Sequence, residues 1–206
     1  MELTTYEMAH QGKGLYNRGL LETADFTIYP YARHVQYPPD TLYSLYRAMV
    51  AEETLERVFY SEKKPDIISF CEYFDRAVLF IATTPDVKNI LGAVWFTEPV
   101  QSFKANVGIW YSRVAHGEMA RDITDRTIRF AMDSFHWQVI WAFTPWRMAA
   151  RHGLFIGFNI VATLPQFVLH RSGKPMNMYV LKRGEYYYAS NRRKIRQQGF
   201  LDAIGA

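Results

Sequence analysis

The 206-residue sequence has little of what several classes of protein require. Its single cysteine, Cys71, excludes an internal disulfide framework, and the apolar residues around it predict a packing role. No apolar run approaches the ~18 residues of a membrane-spanning helix. Residues 1–5 also lack the charged and apolar regions of a signal peptide. We therefore expect a cytoplasmic protein that has no membrane partner.

The sequence signatures of several catalytic classes are also missing. The six histidines are scattered without the spacing of metal ligands, and no cysteine set accompanies them, so we predict no metal site. There is no nucleophile elbow, no Walker A loop and no Rossmann glycine fingerprint. The sequence therefore does not favour a metalloenzyme, a serine hydrolase, a P-loop nucleotide hydrolase or a dinucleotide-dependent dehydrogenase.

Aromatic residues, in contrast, are abundant, at 16% of the chain. They fill cores and line pockets, but Tyr and Trp are also enriched at protein interfaces, so a partner surface stays open as an interpretation. The net charge is +4, with a basic run at residues 192–196. Such a run can meet nucleic acid, an acidic protein or a phosphorylated cofactor. No nucleic-acid motif accompanies it, so nucleic-acid binding is not favoured.

Hydrophobic periodicity and turn residues predict one α+β domain. Residues 25–184 form this domain, between a polar N-terminal arm at 1–24 and a basic, aromatic C-terminal tail at 185–206. The predicted strands are 26–29, 77–82, 90–97, 107–111, 139–143, 160–169 and 176–181, and the predicted helices are 41–58, 67–74, 120–134 and 147–155. This order predicts a mixed, mostly antiparallel central sheet with helices on both faces.

The turn from residue 113 to residue 120 is the first candidate site. It links a strand to the start of a helix, where free N–H groups and the helix dipole attract anions such as a pyrophosphate. A glycine there lets the backbone approach a phosphate closely. The residues of this turn that we assign to cofactor binding are Arg113, Gly117, Glu118, Met119 and Ala120. The alternative is an ordinary helix start with no ligand.

Three side chains are candidates for acid–base catalysis. Glu98, at the end of strand 90–97, and His116, which titrates near neutral pH, are candidate general bases. His152, in the short helix 147–155, is a candidate general acid. Each also has a simpler interpretation: Glu98 precedes Pro99 and can be a solvated strand end, and a histidine can serve packing or solubility alone.

Residues 90–182 resemble the core of the Gcn5-related N-acetyltransferases, the GNAT superfamily. The resemblance rests on the order of elements, on Gly117 in the strand-to-helix turn, and on Gly157-Phe158 after the short helix. It implies an acyl-CoA-dependent N-acyltransferase, which transfers an acetyl group from acetyl-CoA to a primary amine by direct attack. By the same resemblance, the turn at 117–120 would hold the pyrophosphate. The backbone that would line the pantetheine arm is that of strand 107–111, including Ile109, Trp110 and Tyr111.

Departures from the family pattern favour an alternative function. Gly153 stands where the family has a tyrosine that protonates the CoA thiolate, and Trp146 stands where it has an asparagine. Met119 takes the place of a second small residue in the turn. The chain also resembles, in general character, small GNAT-like proteins of tailed bacteriophages. That resemblance implies a catalytically inactive virion or assembly component, or a binder of a host protein, located in the host cytoplasm or the virion.

One structural observation separates the two functions. An open V between strand 107–111 and strand 139–143 favours cofactor binding, whereas a cleft filled by Trp110, Trp141 or Trp146 favours the inactive alternative. The partner is an amine acceptor in the first case and a protein in the second. The sequence leaves open an oligomer or a larger assembly.

Overall fold

The computed structural model describes residues 21–31, 41–60 and 65–184. The C-terminal tail and residues 1–20 of the predicted arm lie outside these ranges. The strands are β1 Leu21–Glu22, β2 Thr27–Tyr31, β3 Val78–Thr83, β4 Ile90–Val100, β5 Lys104–Tyr111, β6 Val139–Thr144, β7 Asn159–Leu169 and β8 Pro175–Gly184. The helices are α1 Thr41–Ala51, α2 Leu55–Val58, α3 Ile67–Asp75, α4 Gly117–Phe135 and α5 Arg147–Phe155.

The strands of the described residues all belong to one 8-stranded sheet with the order β1-β2-β3-β4-β5-β6-β8-β7. Every neighbouring pair is antiparallel except β5 and β6, which are parallel because helix α4 crosses over between them. The predicted α+β architecture, with a mixed and mostly antiparallel sheet, is therefore confirmed.

Several element boundaries differ from the prediction. The helix predicted at 41–58 is two helices, because Glu53 adopts a left-handed backbone with a φ of 56° and ends α1. Strand β5 begins at Lys104, three residues early, since Lys104 and Asn106 are polar and concealed the strand pattern. Helix α4 also begins earlier than predicted, at Gly117 instead of Ala120. Residues Leu21–Glu22, which lie within the predicted arm, form a strand that pairs with β2.

The sheet buries a separate apolar cluster on each face, as the prediction of helices on both faces requires. One cluster packs α4 and α5 on the sheet and includes Phe96, Ile128 and Ile140. The other packs α1–α3 and includes Met49 and Phe70, with Cys71 half-buried at its margin. We call these two sides the α4–α5 face and the α1–α3 face.

Helix α3 shows how local sequence signals fix an element. Asp66 is its N-cap, and the carboxylate accepts a hydrogen bond of 2.8 Å from the Ser69 backbone N–H. This bond to the charged form lowers the pKa of Asp66. Across residues 21–31, 41–60 and 65–184, no helix is both long and apolar enough to cross a membrane.

Glycine is required at position 108 because an indole lies directly over it. A Cβ atom on Gly108 would come within 2.1 Å of Cε2 of Trp95, which is buried. We expect Gly108→Ala to lower the free energy of unfolding by about 1–3 kcal/mol, the usual cost of overpacking a core. Urea denaturation measures this change. Gly184→Ala is the control, since its nearest contact would be an ordinary 3.5 Å; equal effects of the two substitutions would contradict the prediction.

Candidate active site

Strands β5 and β6 separate after a short stretch of pairing. Only three residue pairs join them in the described chain, ending at Asn106 and Trp141. Beyond that point β5 continues to Tyr111 beside β4, and β6 continues to Thr144 beside β8. In antiparallel pairs, alternate residues direct their N–H and C=O groups away from the partner strand. Backbone groups of both strands therefore border the space between them, which we call the splay gap.

The three tryptophans that could have filled the gap have partners on the α1–α3 face. Trp110 is buried there and donates its Nε1–H to Thr54 Oγ1 over 2.7 Å. Trp146 donates its Nε1–H to the Arg57 carbonyl over 2.9 Å. The indole of Trp141 lies 5.6 Å from the ammonium nitrogen of Lys182. This arrangement agrees with an open V rather than with a filled cleft.

On the α4–α5 face, Tyr111 and His152 meet at the end of β5. Their ring centroids are 5.5 Å apart, with an edge-to-face angle of 71°. Burial raises the pKa of Tyr111 and lowers the pKa of His152, so both side chains are neutral near pH 7. The contact links strand β5 to helix α5, which follows β6, and so connects the elements that border the two sides of the gap.

Both side chains of this pair bury a polar atom that has no hydrogen-bond partner. In the described residues only three side-chain atoms are of this kind: Thr83 Oγ1, Tyr111 Oη and His152 Nε2. Unsatisfied buried polar atoms are costly, and in native proteins they call for an explanation such as a ligand. Two of the three atoms therefore belong to one contact, that between β5 and α5.

The sequence had assigned Tyr111 to the site for its backbone alone. Its ring lies over Gly92, the residue opposite it on β4, where a Cβ atom would come within 2.9 Å of the Tyr111 ring. The sequence feature that could have revealed this ring contact is a glycine opposite an aromatic residue. Recognising that feature requires knowledge of the strand register. The neighbouring candidates divide between the faces: Ile109 packs on the α4–α5 face and Trp110 on the α1–α3 face.

The strand-to-helix turn has the geometry of an anion site. Helix α4 begins at Gly117, and the preceding residue, His116, makes no side-chain capping bond to the helix. Its Nδ1 instead lies 3.2 Å from the Val114 carbonyl oxygen. Gly117 has a φ of 59°, and no atom lies within 4 Å of where its Cβ would be. The first-turn N–H groups, including those of Glu118 and Met119, have no acceptor within the helix, and the next residue, Ala120, is buried.

Glu52, at the end of α1, fixes the start of this turn and was not foreseen. Its carboxylate accepts the Ser112 hydroxyl over 2.7 Å and the Arg113 backbone N–H over 3.0 Å. The Arg113 guanidinium donates in turn to the Glu52 carbonyl over 3.1 Å. The guanidinium of Arg113, predicted as a cofactor ligand, is therefore directed towards the end of α1, and its part in cofactor binding stays a prediction.

Glu98 lies at the other end of the gap. It occupies a bulge in β4, with a φ of 48°, and its exposed carboxylate accepts the Asn106 side-chain N–H over 2.6 Å. Asn106 is the last β5 residue paired with β6. Tyr111 is five residues further on, about 16 Å at the usual strand rise. The structure thus groups Tyr111 with His152, and it places Glu98 apart from them at the closed end.

A cavity of about 410 Å³ lies beside the first turns of α4, but its lining does not suit an anion. It is bordered by four carboxylates and one arginine together with two apolar residues: Asp25, Phe26, Glu118, Met119, Arg121, Asp122 and Asp125. Within the described residues, no three His, Cys, Asp or Glu side chains gather as a metal site. The open backbone at Gly117 is therefore the better anion site.

Comparison with known proteins identifies the fold. No protein-family model matches the sequence, and no curated protein matches it. The structure is similar to spermidine N-acetyltransferase from Vibrio cholerae, solved with CoA and spermine, with a TM-score of 0.65 and 14% identity over 82% of this chain and 100% of that chain.

Two further solved structures agree. Ribosomal-protein-S5-alanine acetyltransferase from Vibrio fischeri has a TM-score of 0.63 and 11% identity, over 81% of this chain and 97% of that chain. A probable acetyltransferase of the GNAT family from Chromobacterium violaceum has a TM-score of 0.61 and 14% identity, over 79% and 84%. At these identities the likeness shows the fold alone, and the fold is that of GNAT acetyltransferases.

The unpartnered hydroxyl of Tyr111 gives a stability prediction. We expect Tyr111→Phe to raise the free energy of unfolding of the ligand-free protein by about 1 kcal/mol, because it removes a buried group that lacks a hydrogen bond. Urea denaturation measures the change. In the control, Tyr46→Phe loses a 3.2 Å bond to the Pro65 carbonyl and should lower stability by about 1 kcal/mol. A loss of stability in Tyr111→Phe would show that the hydroxyl has a partner.

The depressed pKa of His152 gives a prediction about pH. The unfolded chain protonates this ring near its ordinary pKa of 6.5, whereas burial makes the folded protein protonate it only at lower pH. Stability from the neutral ring is thus present above about pH 6.5 and is lost as the pH falls towards the folded-state pKa. Between pH 7.5 and 5.5, the urea midpoint of the wild type should fall more than that of His152→Gln. Parallel falls would contradict the burial of the ring.

Proposed function

We propose that the protein is an acyl-CoA-dependent N-acyltransferase that transfers an acetyl group from acetyl-CoA to a primary amine. The observation that carries the proposal is the splay gap between β5 and β6, which leaves backbone groups of both strands for a ligand. The GNAT fold supports it, and a solved structure with this fold contains CoA. Cytoplasmic location and the state of assembly stay predictions.

The residues present fit acetyl-CoA at two places. The backbone N–H groups at the start of α4, beginning with the exposed Gly117, would bind the pyrophosphate. Backbone groups of residues 107–111 that face the gap would bind the amides of the pantetheine arm. The cofactor supplies an activated acyl thioester when bound. The chain supplies orientation, which is a large part of catalysis when two substrates must meet.

The family's tyrosine position holds Gly153, where a Cβ atom would come within 2.5 Å of Leu181 Cδ2, so a side chain there would require Leu181 to move. Tyr111 and His152 lie at the end of β5 next to the turn that would bind the pyrophosphate, about 16 Å along the strands from Glu98. The sulfur would lie at the other end of the pantetheine arm, nearer Glu98, so the leaving thiolate takes its proton from solvent on this proposal.

The general base is Glu98, at the closed end of the gap. An amine that reaches the gap from the α1–α3 face passes the Glu98–Asn106 pair. His116, the second candidate base, precedes the first turn of α4 beside the proposed anion site, and its catalytic role stays a prediction. The alternative function, an inactive phage virion or assembly protein, draws no support from the structural neighbours, which are described as acetyltransferases.

Isothermal titration with acetyl-CoA tests the proposal directly. We expect saturable binding that CoA competes for, and the absence of binding at millimolar acetyl-CoA would reject the function. In turnover assays, Glu98→Gln should lower kcat by about 10²–10⁴-fold with little change in the affinity for acetyl-CoA, as expected for loss of a general base. Glu72→Gln, at an exposed position on α3, should keep kcat. An unchanged kcat in Glu98→Gln would remove this residue from the mechanism.

A further inference from the structure

The described helices leave one part of the sheet uncovered. Helices α1–α3 pack on β3, β4 and the Trp110 end of β5, whereas α4 and α5 cover the opposite face. On the α1–α3 face, the register places Asn106 of β5 beside Trp141 of β6, and Trp141 beside Lys182 of β8. This surface begins at the closed end of the splay gap, where an acceptor would approach.

The surface has an aromatic floor. Phe143 follows Trp141 at a spacing of two, which puts both side chains on the same face. Phe143 is 47% exposed, which is high for a phenylalanine on an inner strand, and Trp141 is half-buried. We call Trp141, Phe143, Lys104 and Lys182 the acceptor shelf. A planar apolar group can lie on its two rings and remove them from water.

Charged side chains of both signs surround these two aromatic rings. Lys182 is exposed, and its ammonium nitrogen lies 5.6 Å from the Trp141 ring. Lys104 is half-buried and shares this face, since Ala105 next to it points into the α4–α5 core. The Glu98 carboxylate reaches the same side through its bond to Asn106. Lys104, Lys182 and Glu98 together carry a net positive charge, which attracts an anionic group.

We infer that the acceptor is a primary amine that also carries an aromatic ring and a carboxylate, as an aromatic amino acid does. The ring lies on Trp141 and Phe143, the carboxylate binds Lys182, and the amine points into the gap beside Glu98. The inference rests on the proposed acetyl transfer. In the reaction, the amine nitrogen bonds to the acetyl carbon as the carbon–sulfur bond breaks. Glu98 takes the amine proton, and the thiolate leaves and takes up a proton from solvent.

A panel of four amines tests this assignment on the full chain: phenylalanine, phenethylamine without the carboxylate, alanine without the ring, and spermidine. We expect kcat/KM for phenylalanine to exceed that of each other amine by about tenfold or more, since a charge-assisted hydrogen bond or a buried ring has that effect. Higher kcat/KM for spermidine, phenethylamine or alanine would overturn the inference.

Substitution of Lys182, one of the two lysines of the acceptor shelf, tests whether this residue binds the carboxylate of the acceptor. Lys182→Met should lower kcat/KM for phenylalanine about tenfold and leave phenethylamine unchanged, because only the first has a charge for Lys182 to bind. Lys174→Met, in the exposed β7–β8 turn, is the matched control and should change neither. An equal effect of Lys182→Met on both amines would overturn the role of Lys182.

The two proposals fail in different ways. Absence of acetyl-CoA binding in the titration rejects the acyltransferase function itself. Normal acetyl-CoA binding together with preferred acetylation of spermidine rejects only the aromatic, carboxylate-bearing acceptor. Far-ultraviolet circular dichroism and the urea midpoint of Lys182→Met show that the variant is folded, which is expected because its side chain is exposed.

Discussion

The separation of β5 from β6 after Asn106 is the constraint on which the rest of the structure depends. The parallel pairing is only three residues long, so both strands continue with backbone groups that face an open space. Two indoles hold α2 at the wide end of this space, Trp110 through Thr54 and Trp146 through Arg57. The two indoles near the gap thus form hydrogen bonds with other parts of the chain. The backbone groups of β5 and β6 at the edges of the gap are left for a ligand.

The sheet would divide the proposed chemistry between its two faces. The open start of α4 at Gly117, which the proposal assigns to the thioester cofactor, lies on the α4–α5 face. Glu98 and the acceptor shelf lie on the α1–α3 face. The gap is the passage between the two faces, so the proposed acetyl transfer brings an amine and a thioester together from opposite sides of one sheet.

The contact between β5 and α5 has a cost to stability. Tyr111 and His152 bury polar atoms without partners, although most buried polar groups in proteins are satisfied. Gly153 of the same helix lets α5 approach the sheet, because a Cβ atom there would come within 2.5 Å of Leu181 Cδ2.

The sequence by itself determined what depends on local signals. The order of elements, the N-cap of α3 at Asp66 and the glycine of the turn at 117 all follow from short-range patterns. Only the tertiary structure decided what depends on distant residues. Glu52 reaches Arg113 from 61 residues away, Tyr111 meets His152, and Glu98 lies at the closed end of the gap. Strand register and helix packing set these contacts, and periodicity within one element does not encode them.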